Sequence, residues 1–457
     1  MRENVLLQGS IRPALIRLAL PLLAGNILQQ LYNAVDALIV GKFLGTAAFA
    51  STGVSGTVLN LFLFALSGFC VGISVLFAQF YGAGQPEDFR RGVFTALVFG
   101  GLIAFALSGV SLILLRTLLS GIGTPADLIP HCMDYLRITL AGLICAYLYN
   151  LFSGILRAMG DTKASLLFLL LSVLINAALD YVLIRFMNAG IRGAAFATVL
   201  AQLLAAAACA LYLRRNYPTL LFTRKDIGIY PALLRRLLRL GLVSALHQSS
   251  LYIGKLLVQG AVNRLGTEGI AAYTAALRIE GFTNSFGDSG SQAMSIFISQ
   301  NHGAKNHARV KQGFRQGMVL LILLGATLSV VMELTARFSV ALFLDAGESM
   351  ALAAGCRYLR IVAAFYTFCY IGYAYVGYFR GIGRVGVPFV GTTLHLSIRV
   401  ILTHLIILRL GLPAVAIATG TGWILLICYQ CAIYYSDSIR KWALTPRFTG
   451  VFHHQPR

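Results

Sequence analysis

The chain has 457 residues, 58% of them hydrophobic and only 12% charged, whereas a soluble domain carries roughly 25% charged residues. Apolar stretches of about 20 residues recur along its whole length, each enough to cross a hydrocarbon core of about 30 Å, which excludes a soluble fold. The net charge of +21 lies in short loops between those stretches, so it reads as membrane topology and sets nucleic acid aside as a partner.

The apolar runs are continuous rather than alternating, so they read as helices and not as barrel strands. In chain order the spans fall near 14–38, 50–79, 93–115, 133–156, 165–187, 193–213, 238–262, 270–300, 317–342, 357–379, 388–408 and 413–435. This is the pattern of an all-α integral membrane protein with about twelve transmembrane helices. The first run has a basic leader and no small-residue cleavage site behind a short apolar core, so it reads as a span and not as a removed signal peptide. Gly68 and Gly72 in span 2 form a GxxxG suited to close helix packing.

Lys and Arg fix the orientation. With the N-terminus cytoplasmic, the cytoplasmic segments carry 24 of them and the opposite loops 8, which places both termini inside. The expected location is the plasma (cytoplasmic, or cell inner) membrane. The basic segment 214–237 divides the chain into an N-lobe, 1–213, and a C-lobe with its tail, 238–457.

The two lobes repeat one another. Gln79, Gly82, Ala83 and Gly92 recur as Gln300, Gly303, Ala304 and Gly313, at an offset of 221. Gly154, Arg157 and Gly160 recur as Gly377, Arg380 and Gly383, at 223. Convergence would not hold nearly one offset across unrelated loops, so the chain is a duplication of six spans. Six is even, so the copies run in parallel, about a pseudo-axis along the membrane normal. That is a transporter plan with its binding site between the halves.

An ionisable group at bilayer depth costs roughly 2.5–3.5 kcal/mol or more, so such groups mark function. Asp36 stands in span 1 without a basic neighbour, after Pro21, which can act as a hinge. Span 1 also presents Gln29 and Asn33. Asp180 in span 5 shares a helix face with Asn176, one turn earlier. A carboxylate and an amide oxygen are hard ligands suited to a small cation, and Tyr135 and Thr198 could complete the set. Structural capping or hydrogen bonding by the two aspartates is the competing reading. The repeat is asymmetric here: Asp180 maps to Thr403 and Asn176 to Arg399. The second half instead carries Gln248, Lys255, Arg278, Glu280 and Arg399 within its spans. These are candidate lining for a substrate cavity, with structural pairing as the alternative for Arg278 and Glu280. Lys255 is the discriminating residue: buried against an acid, it belongs to an antiporter; facing a cavity, it suits an anionic substrate.

The remaining motifs are weak. Cys428 and Cys431 form a CxxC in an apolar helix without other metal ligands, so they read as packed thiols. Gly381, Gly383 and Gly386 spell GxGxxG, but no strand precedes them. The sequence carries neither a P-loop nor a nucleophile–base pair, which argues against an ATP-driven pump and against an enzyme.

Taken together, VDALIVGKFLG at 35–45, AQFYGAGQPEDFRRG at 78–92, GILRAMGDTK at 154–163, INAALDYVLI at 175–184, GIRGAAFATV at 190–199 and ISQNHGAKNHARVKQG at 298–313 resemble the multidrug and toxic compound extrusion (MATE) family of the multidrug/oligosaccharidyl-lipid/polysaccharide exporter (MOP) superfamily. The resemblance implies twelve helices in two six-helix lobes around a V-shaped cavity. It also implies export of organic, often cationic, compounds in exchange for H⁺ or Na⁺, with no cofactor. On this chain the family's first-span acid falls on Asp36, its proline on Pro21, and its cation-site residues on Asn176, Asp180 and Thr198, with Tyr135 nearby; Asp36, Asn176 and Asp180 would be the Na⁺ ligands. Ser249, Ser250 and Leu251 stand where some branches have a span-7 glutamate, and span 10 has no acid. The chain is therefore closer to a DinF-like bacterial branch. The expected protein is a monomeric, multi-pass, cation-coupled multidrug antiporter with a small organic substrate. A flippase for a lipid-linked or anionic substrate is the alternative, since Lys255, Arg278 and Arg399 could face a phosphate.

Overall fold

The computed structural model describes residues 6–344 and 349–444; within its helices the side chains of 33–38, 45–47, 49 and 437–444 fall outside the described residues. Among the described residues the regular structure is entirely helical. The helices are α1 (Ile11–Gly82), α2 (Pro86–Thr95), α3 (Gly101–Gly121), α4 (Ile129–Ala141), α5 (Leu143–Ala158), α6 (Thr162–Arg185), α7 (Gly190–Asn216), α8 (Pro231–Val262), α9 (Gly266–Gly303), α10 (His307–Ala341), α11 (Ser349–Ala363), α12 (Tyr366–Gly381), α13 (Gly386–Leu410) and α14 (Pro413–Leu444).

Eight helical stretches are long and apolar enough to cross a membrane, or ten when two bent pairs are each taken as one span. This is fewer than the twelve expected. The difference lies in α8 and α9, which at 32 and 38 residues are long enough to span. Lys255 and the basic start of α8, and Glu268, Arg278, Glu280 and Asp288 on α9, lower their apolarity. Spans 1 and 2 are the stretches Ile11–Tyr32 and Ala50–Gly82 of α1. A straight helix of that length would reach roughly 108 Å at 1.5 Å per residue. Yet both ends of α1 meet the same end of α9: Asn301 Nδ2 donates to the Leu6 carbonyl at 3.2 Å, and Gly82 abuts the Gln300 backbone. The chain therefore doubles back within α1.

The returning halves of α1 pack on different partners. Its first half runs antiparallel to α9, with Asn26 donating to Ser289 Oγ at 3.0 Å and Gln30 to Ser285 Oγ at 2.8 Å. Its second half runs antiparallel to α8. There the GxxxG does the work expected of it: a Cβ on Gly68 would lie 2.6 Å from the Ser244 carbonyl oxygen, and one on Gly72 would strike that of Leu240. Tyr252 closes this seam by donating to the Thr57 carbonyl at 2.8 Å and stacking on Phe64.

The repeat is visible in the backbone. α4 and α5 meet at a 45° bend at Gly142, and α11 and α12 at a 53° bend near Phe365, the matching place in the second copy. Gly160 and Gly383, 223 residues apart, turn the chain at φ +88° and +80°, a region that only glycine enters cheaply. One distortion is confined to the first copy. Between α2 and α3 a π-turn, Ala96–Gly100, leaves room beside Gly100 for Tyr147, whose hydroxyl donates to the Ala96 carbonyl at 2.6 Å.

The two copies cross at the end of the bundle bearing the 217–230 connection. Gly82 lies on the Gln300 backbone and Gly303 on that of Gln79, so the contact is reciprocal. Gln79 Nε2 donates to the Gly381 carbonyl at 3.1 Å, and Gln300 Nε2 to the Ala158 carbonyl at 2.7 Å. Ala158 and Gly381 are themselves repeat mates. Arg309 adds a clasp on the N-terminal segment through the carbonyls of Leu6, Gln8 and Gly9.

The basic connection is ordered by one acid. Asp226 Oδ2 accepts from the Thr223 amide and hydroxyl, both at 2.8 Å, and from Arg90 Nε at 3.1 Å. Burial alone would raise its carboxyl; the Thr223 amide and hydroxyl and the Arg90 guanidinium outweigh that and hold it below its ordinary range. A depressed carboxylate contributes fully above its unfolded pKa of about 4, and the contribution is lost as pH falls through the lower folded value.

Two predictions follow from this geometry. Gly82→Leu should hold the crossed end apart, so that a single cysteine at Ser299→Cys, in a background freed of other thiols, becomes reactive to a charged maleimide. Ser299 is buried and donates to the Gly381 carbonyl, and equal protection with and without the leucine would contradict the closure. Asp226→Ala should loosen 217–230 by about 1 kcal/mol. Amide exchange there, corrected for intrinsic rates, should stay constant from pH 8 to about 4 in the parent and rise below that.

Candidate transport site

The fold brings part of the expected cation set together. Asn176 and Asp180 are buried on α6, which packs on α7 and α1. Of the two orientations of the Asn176 amide, one satisfies both its atoms: Nδ2 donates to Asp180 Oδ2 at 3.0 Å and Oδ1 accepts from the Thr198 amide at 3.2 Å. In the other orientation Nδ2 reaches Thr198 Oγ1 at 3.4 Å and the amide oxygen faces only acceptors. One turn of helix thus places an amide donor on the carboxylate. Tyr135 is buried on α4, which also packs on α7. The side chains of Asn33 and Asp36 lie outside the described residues.

A cavity of about 230 Å³ opens between the two copies. One face of span 1 lines it through Pro21, Leu22, Gly25, Asn26 and Gln29, at the i, i+3, i+4 spacing of a helix stripe. Helix α1 continues through Pro21, which leaves the Arg17 carbonyl without its usual amide partner. Ser67 and Val71 come from span 2, Asn150, Ser153 and Arg157 from α5, and Ser165 and Leu169 from α6. The second copy supplies Gln248 from α8 with Asp288 and Gln292 from α9. Gln29 and Gln248 therefore both line this cavity. Asp288 accepts from Gln292 at 2.7 Å and from Asn26 at 3.3 Å, and among the described residues no cation reaches it within 4 Å.

Sequence reasoning missed several of these groups. Arg157 and Arg380 count as loop anchors in the charge tally, but Arg157 lines the cavity and Arg380 is buried with Asp288 as its charged neighbour. Their shared place in the repeat was a usable signal. Asn26 was legible too, since it stands with Gly25 and Gln29 on one helical face.

The other C-half candidates sit apart from this cavity. Glu280 is only 5% exposed and accepts from the Tyr358 hydroxyl at 2.5 Å. Arg399, 8% exposed, donates to the Tyr273 hydroxyl at 3.3 Å. The rings of Tyr273 and Tyr358 meet edge to face at 5.7 Å. These side chains form a buried cluster of α9, α11 and α13, and Glu280 and Arg399 are not among the residues that line the central cavity. Lys255 is exposed on the α8 stripe that carries Gln248 and Tyr252. Glu280 and Arg399 are its charged neighbours, but no carboxylate lies within 4 Å of it among the described residues. Arg278, two residues from Glu280, points to a different face, is exposed, and has no acid within 4 Å there. The eight cysteines are free, Cys431 meeting the Tyr375 hydroxyl, and no group of metal-type ligands occurs among the described residues.

Comparison with known proteins agrees with this architecture. The MatE family matches the chain twice, over residues 21–182 and 244–405, displaced by the same 223 residues as the internal repeat. "Probable multidrug resistance protein YoeA" of Bacillus subtilis (strain 168) is 30% identical over 363 residues, covering 77% of this chain and 78% of that protein. An "FAD transporter" of Shewanella oneidensis is 24% identical over 342 residues, covering 74% and 75%. The solved structure of a "MOP superfamily transporter from Pyrococcus furiosus Vc1" superposes with a TM-score of 0.87 at 23% identity, over 98% of this chain and 99% of that one, a likeness of fold. With both copies matched and a relative 30% identical over most of its length, the chain belongs to the MatE family of membrane transporters.

Proposed function

We propose that the protein is a cation-coupled antiporter that exports small organic compounds from the cell in exchange for H⁺ or Na⁺. The observation that carries the reading is the buried Asn176–Asp180 pair beside Thr198, a carboxylate at bilayer depth with an amide bonded to it. Both termini are cytoplasmic and twelve spans form two lobes, with α8 and α9 as spans 7 and 8. The crossed end is then the cytoplasmic one, and the conformation faces outward. A cation entering from outside turns the Asn176 amide oxygen toward Asp180, with Asp36 as the companion acid. Neutralising these groups changes how span 1 packs about Pro21, in the wall of the cavity, and so lowers its affinity for substrate. Release of the cation inside resets the amide as donor. Coupling in this scheme is a difference in affinity between the two states, and nothing else is needed to drive export.

In the cavity, Asp288 is the group suited to a cationic substrate, while the glutamines and asparagines supply neutral hydrogen bonding. The branch is DinF-like, acting as a monomer in the plasma membrane. A second reading concerns substrate charge. Lys255 is exposed and without a carboxylate within 4 Å, and one relative is named for FAD, a phosphate-bearing cargo. An anionic or lipid-linked substrate would use that cation.

The test is efflux from proteoliposomes under a pH gradient or a Na⁺ gradient imposed separately. With a fluorescent organic cation, Asp36→Asn and Asp180→Asn should each lower gradient-driven efflux at least about tenfold, the equivalent of ~1.4 kcal/mol of coupling. Unchanged efflux in the double variant would end the antiport reading, and transport of an anionic dye alone would favour the second. Asp288→Asn should weaken the apparent affinity for the cationic dye about tenfold while leaving the ion dependence in place. Loss of ion dependence instead would move Asp288 into the coupling site.

A further inference from the structure

The buried cluster of the second half stands where the cation set stands in the first. At the repeat offset of 223, Tyr135 maps to Tyr358, Asn176 to Arg399 and Asp180 to Thr403; at 221, Thr198 maps to Thr419. Tyrosine and threonine positions recur, but the amide has become a guanidinium and the acid has become a hydroxyl. The acid of the second cluster comes instead from Glu280 on α9, and its hydroxyl partner is Tyr358, the repeat mate of Tyr135. Arg399 and Thr403 are one turn apart on α13, as Asn176 and Asp180 are on α6, and both are buried.

We infer that Arg399 occupies, in the second half, the place that the exchangeable cation takes in the first: a tethered guanidinium that balances Glu280 and bars free cations from the cluster. Three observations carry this. A buried carboxylate needs a compensating charge, and Arg399 is the cation buried beside it. The two are joined through Tyr273 and Tyr358 rather than by a direct ion pair, and the guanidinium comes from α13, the repeat mate of the helix that carries Asn176 and Asp180. His395, one turn before Arg399 on α13, is also buried and stacks on Trp423, so this stretch of the helix is packed into the core. The other cation near Glu280, Lys255, stands on α8, outside the repeat positions that match the first-half set. The consequence is functional asymmetry. One half exchanges a cation each cycle and the other is permanently loaded, so each chain carries one exchangeable site.

The inference rests on the first half being a cation site, and the experiment separates the two claims. The full chain carrying Asp180→Asn is unfolded thermally in detergent, with NaCl replaced by choline chloride at constant ionic strength, and with millimolar methylguanidinium as a second probe. In that background Arg399→Gln should create a site for a free cation, and Na⁺ or methylguanidinium should raise Tm by about 2–4 °C. Arg399→Lys, which keeps the charge, and Arg399→Gln with Glu280→Gln, which removes both, should show no rise. Thr403→Asp offers a variant that keeps the arginine: it restores the first-half acid, leaves one carboxylate uncompensated, and should gain the same response. Absence of a cation response in both Arg399→Gln and Thr403→Asp, or an equal response when Glu280 is also removed, overturns the inference. A Na⁺ response that persists in Asp180→Asn alone counts against the first-half site instead, and the difference between Arg399→Gln and its Glu280→Gln partner still reads the second.

Discussion

The crossing of Gly82 on Gln300 and Gly303 on Gln79 is the contact on which the rest of the molecule depends. Each glycine lets the partner backbone approach to a distance that any side chain would forbid. Each glutamine then sends its amide to a carbonyl in the opposite copy, Gln79 to Gly381 and Gln300 to Ala158. The arrangement is self-complementary, as a pseudo-two-fold axis requires. It is held by a few buried hydrogen bonds, each worth about 1 kcal/mol net, beside apolar contacts such as those of Leu6, Leu15 and Leu18 with the core of the second copy. Such a contact defines one closed state without making it irreversible.

The crossing is not perfectly symmetric. Arg236 donates to Gln79 Oε1, while Gln300 Oε1 is buried without a hydrogen-bond partner among the described residues. The repeat position of Arg236 falls near Ala14, so the first copy has no arginine to offer there. The same divergence runs through the interior. The first half keeps a carboxylate and an amide on span 5, whereas the second has an arginine and a threonine and draws its acid from span 8. Duplication fixed the backbone positions, and the charges at those positions changed afterwards. Two copies of one fold thus carry different charges at matching backbone positions.

The central cavity follows from the way α1 is shared. Its first half is bound to α9 and its second to α8, while α8 and α9 themselves barely touch. Polar side chains that would be costly against lipid, such as Asn26, Gln29, Gln248 and Asp288, are acceptable because they face this gap or one another across it. Part of the polarity of α8 and α9, in Gln248, Asp288 and Gln292, is therefore the lining of the cavity, seen as composition.

The sequence by itself determined the helical membrane class, the duplication with its offsets of 221 and 223, the close packing at Gly68 and Gly72, and the buried pair on span 5. All of these rest on local rules: apolar length, glycine where backbones touch, and residues one turn apart sharing a face. Tertiary structure alone decided which of the second half's charges meet. Arg278 and Glu280 are neighbours in sequence yet face different ways, because two residues along a helix is about half a turn. Lys255 reads in sequence as an isolated span cation, and only the packing of α8 shows it exposed beside Gln248 and without an acid in contact. Glu280, Tyr358 and Arg399 come from three helices spread over about 120 residues, and no periodicity links them. Their meeting depends on long side chains that reach one another from α9, α11 and α13, which is a property of the packed bundle and not of any one helix.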